Sequence, residues 1–165
     1  MTSLLAQVVT REPLAATDGR SGSLLERVVL AGGETLVVKH VRDGGDWIMR
    51  ASHDHGRAAE LWSSGVLARV PDVIDHAVVG AERVEDGWVV VMRDVSAALV
   101  PDHARLSRAD SRRVLEAAAA LHATFRDGPP LALCSMVDRY RFLSPATARR
   151  EAGGADEVPQ LIGQS

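Results

Sequence analysis

Lys39 is the residue of this sequence whose type most directly suggests chemistry. It is the one lysine in the chain, which also carries eighteen arginines. Arginine presents a broad planar guanidinium, whereas lysine presents a compact ammonium on a slim chain. A site that must fit one cation between phosphate oxygens and a carboxylate therefore needs lysine. We interpret Lys39 as a candidate phosphate contact; the alternative is a lysine that lies in a strand by chance.

Glu60 is the candidate counter-charge for Lys39. It follows Lys39 by twenty-one residues and falls in the middle of a predicted helix. A lysine on a half-buried strand surface needs an opposite charge, because burial disfavours an unpaired ion. Taken by itself, Glu60 is also explained as a solvated charge on a helix face. We predict that the two side chains form an ion pair.

A turn-rich stretch before the second strand is the candidate anion-binding loop. It contains Asp18, Gly19, Ser21, Gly22 and Ser23. Glycines allow the backbone to approach an anion closely, and its exposed N–H groups then bind phosphate oxygens. The spacing matches neither the P-loop nor the dinucleotide-binding pattern. An ordinary hairpin turn is therefore the alternative.

We interpret three other groups of reactive residues as structural rather than chemical. His53-Asp54-His55 suggests a metal site, but neighbouring positions point in different directions and no further ligands are evident. We interpret it as a polar helix N-terminus. His122 lies on a largely apolar helix and is expected to be packed and hydrogen-bonded. Cys134 has no base or cation nearby in the sequence and is expected to be a small core residue.

The elements that position these residues form two groups along the chain. Up to about residue 96, β-branched runs alternate with turns, and a helix over His53–Ser64 is predicted between the third and fourth strands. Alternation within the third strand puts Leu36 and Val38 on one face and Lys39 on the other. The five predicted strands are Leu4–Val9, Leu24–Leu30, Thr35–Val41, Val73–Val79 and Trp88–Met92.

The second group of elements is helical. Ser107 begins a capping-box pattern, and the helix after it runs to about Phe125. Ser144-Pro145 has the form of an N-cap followed by proline at the first helical position. The apolar stripe of the long helix is predicted to consist of Val114, Ala118, Leu121 and Phe125.

Composition excludes several classes of protein. The chain has 165 residues, of which 46% are apolar and 25% are charged, as in an ordinary globular protein. Its net charge of −3 does not suggest a nucleic-acid partner. No apolar run approaches the ~20 residues that a membrane span requires. A single cysteine cannot form an internal disulfide, so we expect a cytoplasmic protein with no membrane partner.

The order of these motifs resembles a known family. A glycine-containing hairpin, Val37-Val38-Lys39, a helix with Glu60, two strands and the connector Met92-Arg93-Asp94-Val95 follow one another. This order is similar to the N-terminal lobe of the aminoglycoside phosphotransferase-like small-molecule kinases, whose fold is related to that of protein kinases. The resemblance covers about residues 8–125. It implies an α+β fold, with a nucleotide-binding lobe and hinge over 1–95.

The resemblance assigns roles to individual residues around ATP. Lys39 would contact the α- and β-phosphates, Glu60 would hold Lys39 in place, and residues 18–23 would cover the phosphates.

The resemblance also places the adenine of ATP. Met92 would line the back of the adenine pocket. The carbonyl of Arg93 and the N–H of Val95 would hydrogen-bond the edge of the ring.

The chain departs from this family in its catalytic residues. The family needs an Asp base, an Asn that binds Mg²⁺ and a further metal-binding Asp. The sequence contains no asparagine and no His-x-Asp, Asp-Phe-Gly or Asp-x-Asp motif. Ligands for Mg²⁺ and catalytic residues are therefore expected to be absent from this chain. We expect 96–165 to be the incomplete start of a helical lobe, cut before the catalytic loop.

Three functions remain open at this point. The first is the N-terminal part of a small-molecule phosphotransferase that binds ATP but turns over little on its own, with an unidentified acceptor. The second is a non-catalytic kinase-like module that senses nucleotide or binds a protein. Either would need a missing lobe or a partner to cover an exposed lobe face. The third is an unrelated α+β enzyme, which no nucleophile–base pair or metal set supports.

Overall fold

The computed structural model describes most of the chain. The described residues are 4–14, 23–45, 47–54, 56–101, 104–128, 131, 135–141, 144–154 and 160. Cys134 and most of the apolar stretch after residue 157 lie outside them.

A five-stranded antiparallel sheet forms the first half of the molecule. The strands lie in the order β1-β2-β3-β5-β4, so the connection from β3 to β4 crosses over β5. The α+β class and the five-stranded antiparallel sheet are confirmed. The strands are β1 (Val8–Leu14), β2 (Leu24–Leu30), β3 (Thr35–Arg42), β4 (Val78–Val84) and β5 (Gly87–Arg93).

The hydrophobic core lies on one face of this sheet. Six buried residues of the three central strands form it, and Leu5, Val8 and Val79 pack against them. Lys39 lies on the opposite face, where it pairs with Val90 of β5 across the ladder. The period-two interpretation of β3 is therefore confirmed. The six core residues are Val28, Leu30, Leu36, Val38, Val89 and Val91.

Two short helices replace the single predicted helix between β3 and β4. They are α1 (Trp47–Ser52) and α2 (Arg57–Ser63), so the predicted start at His53 is wrong. His53 adopts a positive φ of 52°, which ends α1. Asp54 Oδ1 then accepts hydrogen bonds from the N–H groups of Gly56 and Arg57 and starts α2. An Asx turn thus competes with continuous helix at this point.

Two predicted strands are displaced along the chain. The segment Leu4–Gln7 is a 3₁₀ helix, and β1 begins only at Val8. The predicted strand over 73–79 is wrong except at its end. A turn bond from the Ile74 N–H to the Pro71 carbonyl bends the chain there, and pairing with β5 begins at Val78. β4 then continues to Val84, beyond the predicted end at Val79.

The second half of the described chain consists of separate helices. They are α3 (Arg108–Thr124), α4 (Met136–Arg141) and α5 (Pro145–Glu151). Ser107 and Ser144 cap α3 and α5 as predicted, each accepting a backbone N–H three residues on. No residue of α3 is buried, and Val114, the first residue of the predicted apolar stripe, is 58% exposed. Within the described ranges no helix has both the length and the apolar character of a membrane span.

Candidate functional site

Lys39 lies in a cleft between the sheet and the two short helices. The cleft has a volume of about 360 Å³. Val90 of β5 lines it beside Lys39, and Arg57 and Asp54 line it from the start of α2. Ser23, which precedes β2, is also part of the wall. The β-strand alternation and the Asx turn together bring two cations and one carboxylate into this space.

The two cations of the cleft have unused hydrogen-bonding capacity. Among the described residues, no carboxylate oxygen lies within 4.0 Å of the Lys39 ammonium. Arg57 Nη2 lies 2.7 Å from Asp54 Oδ2 but is not aligned for a hydrogen bond, and this buried nitrogen has no other partner. A buried donor without an acceptor is costly, and this applies to Arg57 Nη2, whereas the partly exposed Lys39 ammonium can be solvated. An anion in the cleft would satisfy both groups.

The structure does not bring Lys39 and Glu60 together. No ion pair joins them, and Glu60 is not part of the cleft wall. The helix begins at Arg57, so Arg57, Ala58 and Leu61 face the cleft, in the i, i+1, i+4 pattern of one helix side. The predicted ion pair is therefore not formed in this structure, and Arg57 is the charged residue of α2 that accompanies Lys39.

Of the predicted phosphate loop, one residue is described. Ser23 lines the same cleft as Lys39. Asp18, Gly19, Ser21 and Gly22 lie outside the described residues. Their predicted contact with phosphate stays a prediction.

Asp54 has the structural role predicted for it, whereas His122 does not. His122 is exposed on α3, so its predicted packed position is wrong. Asp54 acts as the predicted polar helix start, through its bonds to the α2 backbone. His55 is outside the described residues. Within those that are described, no group of three or more His, Cys, Asp or Glu side chains could hold a metal ion.

The connector after β5 is held by contacts to its flanks. Met92 pairs with Val37 on the face that carries Lys39. Arg93 Nη2 donates to the His76 carbonyl at 2.9 Å and also pairs with the Asp75 carboxylate. Hydrogen bonding to Arg93 lowers the pKa of Asp75. The predicted adenine contact Val95 is exposed.

Arg27 and Asp94 form a link that the sequence reasoning missed. Arg27 Nε of β2 donates to Asp94 Oδ2 at 2.9 Å, although the residues are 67 positions apart. The N–H and hydroxyl of Ser96 both donate to Asp94 Oδ1. The Ser96 hydroxyl, its N–H and then Arg27 lower the pKa of Asp94 to about 2. The one local signal was the Asp-x-Ser spacing, which is typical of an Asx turn.

This link lies at one end of a row of paired residues that crosses three neighbouring strands, β2, β3 and β5. Arg27 pairs with Val37, and Val37 pairs with Met92, so the three side chains share the face of Lys39. The row stands next to the connector that Asp94 anchors. A flat ring placed against Val37 and Met92 would lie two positions along β3 from the Lys39 ammonium.

Comparison with known proteins finds no relative. The chain matches no protein-family model, no curated protein and no solved structure. Its function therefore has to be argued from the residues of the cleft and of the connector.

Proposed function

We propose that this chain is the nucleotide-binding portion of an ATP-dependent small-molecule phosphotransferase of the aminoglycoside phosphotransferase-like type. The phosphates would occupy the Lys39 cleft, and the adenine would lie against Val37 and Met92, beside the connector. The observation that carries the proposal is that Lys39, which has no ion-pair partner among the described residues, shares one cleft with Arg57, whose buried Nη2 is ion-paired with Asp54 but has no hydrogen bond. A polyphosphate is the common cellular anion with the charge and reach to meet both.

Two features of the fold support this proposal. The five-stranded antiparallel sheet, with helices inserted between β3 and β4, agrees with the order of elements on which the resemblance rests. The site also lies where three elements converge: β3 supplies Lys39, α2 supplies Arg57, and β5 leads into the connector. A mononucleotide stretched from the connector to the cleft would touch each of them.

The residues of this chain would bind and orient ATP. The Lys39 ammonium would neutralise charge on the phosphates, and the Arg57 guanidinium would fix a second oxygen. The rotation of the adenine would be restricted by Val37 and Met92. Magnesium does not fit the described residues, which offer no carboxylate cluster for it, and the chain has no asparagine. A catalytic base and the metal ligands would have to come from residues outside this sequence.

A non-catalytic nucleotide sensor is the second candidate function. It is favoured by the same lack of catalytic motifs and by the exposed apolar residues of α3, Val114 and Leu115. Exposed apolar patches are typical of interaction surfaces. In this case ATP binding would change how the chain associates, rather than lead to phosphoryl transfer.

Nucleotide-induced stabilisation tests the proposed site. ATP should raise the melting temperature most, ADP less and adenosine least, because the cations recognise phosphate. Lys39→Ala should weaken ATP binding by about tenfold or more, the equivalent of one charge-assisted contact. His53→Asn is the matched control. His53 is exposed and lies beside the cleft, and asparagine tolerates the positive φ of this position. Equal shifts in the parent and Lys39→Ala, or none in the parent, would contradict the proposal.

Sedimentation velocity with and without ATP separates the two candidate functions. A sensor changes its association state when ATP is added. The nucleotide-binding portion of a phosphotransferase binds ATP with an unchanged sedimentation coefficient.

A further inference from the structure

The side chain of Arg27 crosses the sheet face that carries Lys39. Arg27 lies on β2, and the residues in line with it on β3 and β5 are Val37 and Met92. Its Nε nevertheless donates to Asp94 Oδ2 at 2.9 Å, just beyond the end of β5. Because β3 separates β2 from β5, the guanidinium extends over β3 towards the connector. It therefore lies beside the place that the proposed function gives to the base of the nucleotide.

The guanidinium is at the end of this place that is farther from the phosphates. Lys39 pairs with Val90 of β5, and Met92 follows two positions later. Asp94, which holds Arg27, lies two positions beyond Met92 in the same direction. A nucleotide with its phosphates in the Lys39 cleft therefore turns the far edge of its base towards this link.

The far edge of a purine belongs to its six-membered ring, because the ribose is attached to the five-membered ring. In adenine this edge carries N1, which accepts a hydrogen bond, and the 6-amino group, which donates. The protein group that meets this edge therefore decides which bases fit.

Arg27 has a donor that the protein itself does not use. Its Nε bonds Asp94 and its Nη2 lies 3.4 Å from Ser96 Oγ, but Nη1 has no hydrogen bond among the described residues. The side chain is 34% exposed, and Nη1 is not one of the buried atoms without a partner. A ligand can therefore reach Nη1 while the bond to Asp94 is kept.

The carboxylate of Asp94 is already occupied by donors of the protein. The N–H and the hydroxyl of Ser96 donate to Oδ1, and Arg27 donates to Oδ2. The hydrogen bonds from Ser96, and then that from Arg27, lower the pKa of Asp94 to about 2, so the carboxylate is ionised at neutral pH. Spare hydrogen-bonding capacity at this end of the row is therefore mainly that of a donor, and the complementary ligand atom is an acceptor.

The backbone of the connector is not extended at this point. An extended strand would present alternating C=O and N–H groups to the edge of a ring. Val95 instead has φ −106° and ψ 16°, and a 3₁₀ turn over Ser96–Ala98 follows it directly. This favours a side-chain donor over the Val95 N–H for an acceptor on the ring.

We propose that Arg27 binds the base of the nucleotide by donating from Nη1 to an acceptor on the six-membered ring of a purine, which is N1 in adenine. Asp94 and Ser96 are positioning residues, because they act through the guanidinium that they hold. This inference rests on the function proposed above and adds to it the residue that selects the base. A base without an acceptor at this edge binds less tightly.

Two analogues of ATP test this contact on the full chain by isothermal titration. In 1-deaza-ATP a carbon replaces N1, and in 7-deaza-ATP a carbon replaces N7. The parent should bind 1-deaza-ATP about tenfold more weakly than ATP, the effect of one charge-assisted hydrogen bond. It should bind 7-deaza-ATP as tightly as ATP, because N7 is not on the edge that faces Arg27.

Arg27→Gln should bind ATP about tenfold more weakly than the parent and should no longer distinguish ATP from 1-deaza-ATP. A merely structural role of Arg27 would leave that distinction intact. Tripolyphosphate, which has no base, should bind Arg27→Gln and the parent equally. The control is Arg11→Gln, an arginine that is also paired with a carboxylate but lies on the other face of the sheet, opposite the core residue Val28. It should keep the preference for ATP.

The outcomes separate this inference from the function on which it rests. If Lys39→Ala weakens ATP binding but the parent binds ATP and 1-deaza-ATP equally, the proposed function stands and the role of Arg27 is wrong. The same holds if Arg27→Gln keeps the full preference for ATP over 1-deaza-ATP. If ATP does not bind, or binds Lys39→Ala as tightly as the parent, the proposed function fails and this inference fails with it.

Discussion

The sheet portion and the helical portion of this molecule are stabilised in different ways. In the sheet portion, residues 24–93 bury an apolar cluster on one face of the central strands. In the helical portion, residues 104–154, α3 buries no residue, and α4 exposes Met136, Val137 and Tyr140. One half has its own interior, and the other consists largely of capped helices with apolar surface in contact with solvent.

The contrast shows where order in the helical portion comes from. Serine caps satisfy the first N–H groups of α3 and α5. Contacts between described residues that tie these helices to the sheet portion include Arg69 with Phe125 and Arg50 with Glu151. Surface of this kind is typical of an interface. It agrees with a function in which another lobe or partner covers α3.

The largest expected effect compares one leucine from each portion. Leu36→Ala should lower the free energy of unfolding by about 2–4 kcal/mol, because Leu36 is 2% exposed in the core cluster. Leu115→Ala on α3, where the leucine is 70% exposed, should change it by less than about 0.5 kcal/mol. Urea unfolding of both variants measures the difference. Equal losses would mean that α3 has an interior of its own.

Gly56→Ala tests the junction that shapes the Lys39 cleft. Gly56 has φ 109°, and an added Cβ would lie 2.7 Å from Cδ1 of Trp88. The substitution should therefore cost about 1–3 kcal/mol and weaken ATP-induced stabilisation. Gly32→Ala is the control, since nothing lies within 4 Å of its added Cβ. Similar melting temperatures for the two variants would show that the turn before α2 adapts freely.

The link between Arg27 and Asp94 should contribute about 1 kcal/mol, the usual value for a partly exposed charge-assisted hydrogen bond. A double-mutant cycle with Arg27→Gln and Asp94→Asn measures the coupling by urea unfolding. No coupling energy would mean that the connector is held by Asp94 and Ser96 alone.

The same carboxylate predicts a pH dependence. In the folded state the pKa of Asp94 is lowered to about 2 from its ordinary value of 3.8. A lowered carboxyl pKa stabilises the folded state above the unfolded value, so this contribution is present above about pH 4 and is lost as the pH falls towards 2. Asp94→Asn should flatten the stability profile over that interval. If Asp94→Asn and the parent protein lose stability equally over that interval, Asp94 is not the source of this pH dependence.

The smallest effect concerns the tie between the two portions. Arg50 donates through Nε and Nη2 to Glu151 Oε2, both at 3.0 Å. Glu151→Gln should cost about 0.5 kcal/mol globally but should speed amide exchange in α5 relative to β3. Glu116→Gln, an exposed acid on α3, is the control. Equal exchange in both variants would show that this tie does not order α5.

Local sequence patterns predicted the strands of the sheet portion well where residues of one type recur along a strand. Alternation in β3 predicted both faces of the strand, because a period of two follows directly from strand geometry. The same kind of pattern failed at Val73 and Ile74. These residues are apolar enough for a strand, but they belong to the turn that begins at Pro71. The break at His53 was also missed, since it depends on a backbone angle that histidine adopts only in context.

Among the residues of the candidate site, the sequence pointed to Lys39 but not to the charged residues that accompany it. Lys39 was proposed as a site residue because it is the one lysine of the sequence, and strand alternation predicted the sheet face on which it lies. That Arg57 rather than Glu60 reaches the cleft depends on where α2 begins, which the Asx turn of Asp54 decides. The bond between Arg27 and Asp94 spans 67 residues, and no local pattern contains it. For α3, capping predicted the start but carried no information about what covers the helix.

Affinity labelling of Lys39 tests the account most directly, because the chain has no other lysine. The reagent is an adenosine bearing a 5′-fluorosulfonylbenzoyl group, which reacts with a lysine that lies where phosphates bind. If ATP binds at Lys39, we expect one label per chain, found on Lys39 by peptide mass analysis and prevented by excess ATP but not by excess inorganic phosphate. Labelling of Lys39 that ATP does not prevent would contradict the account.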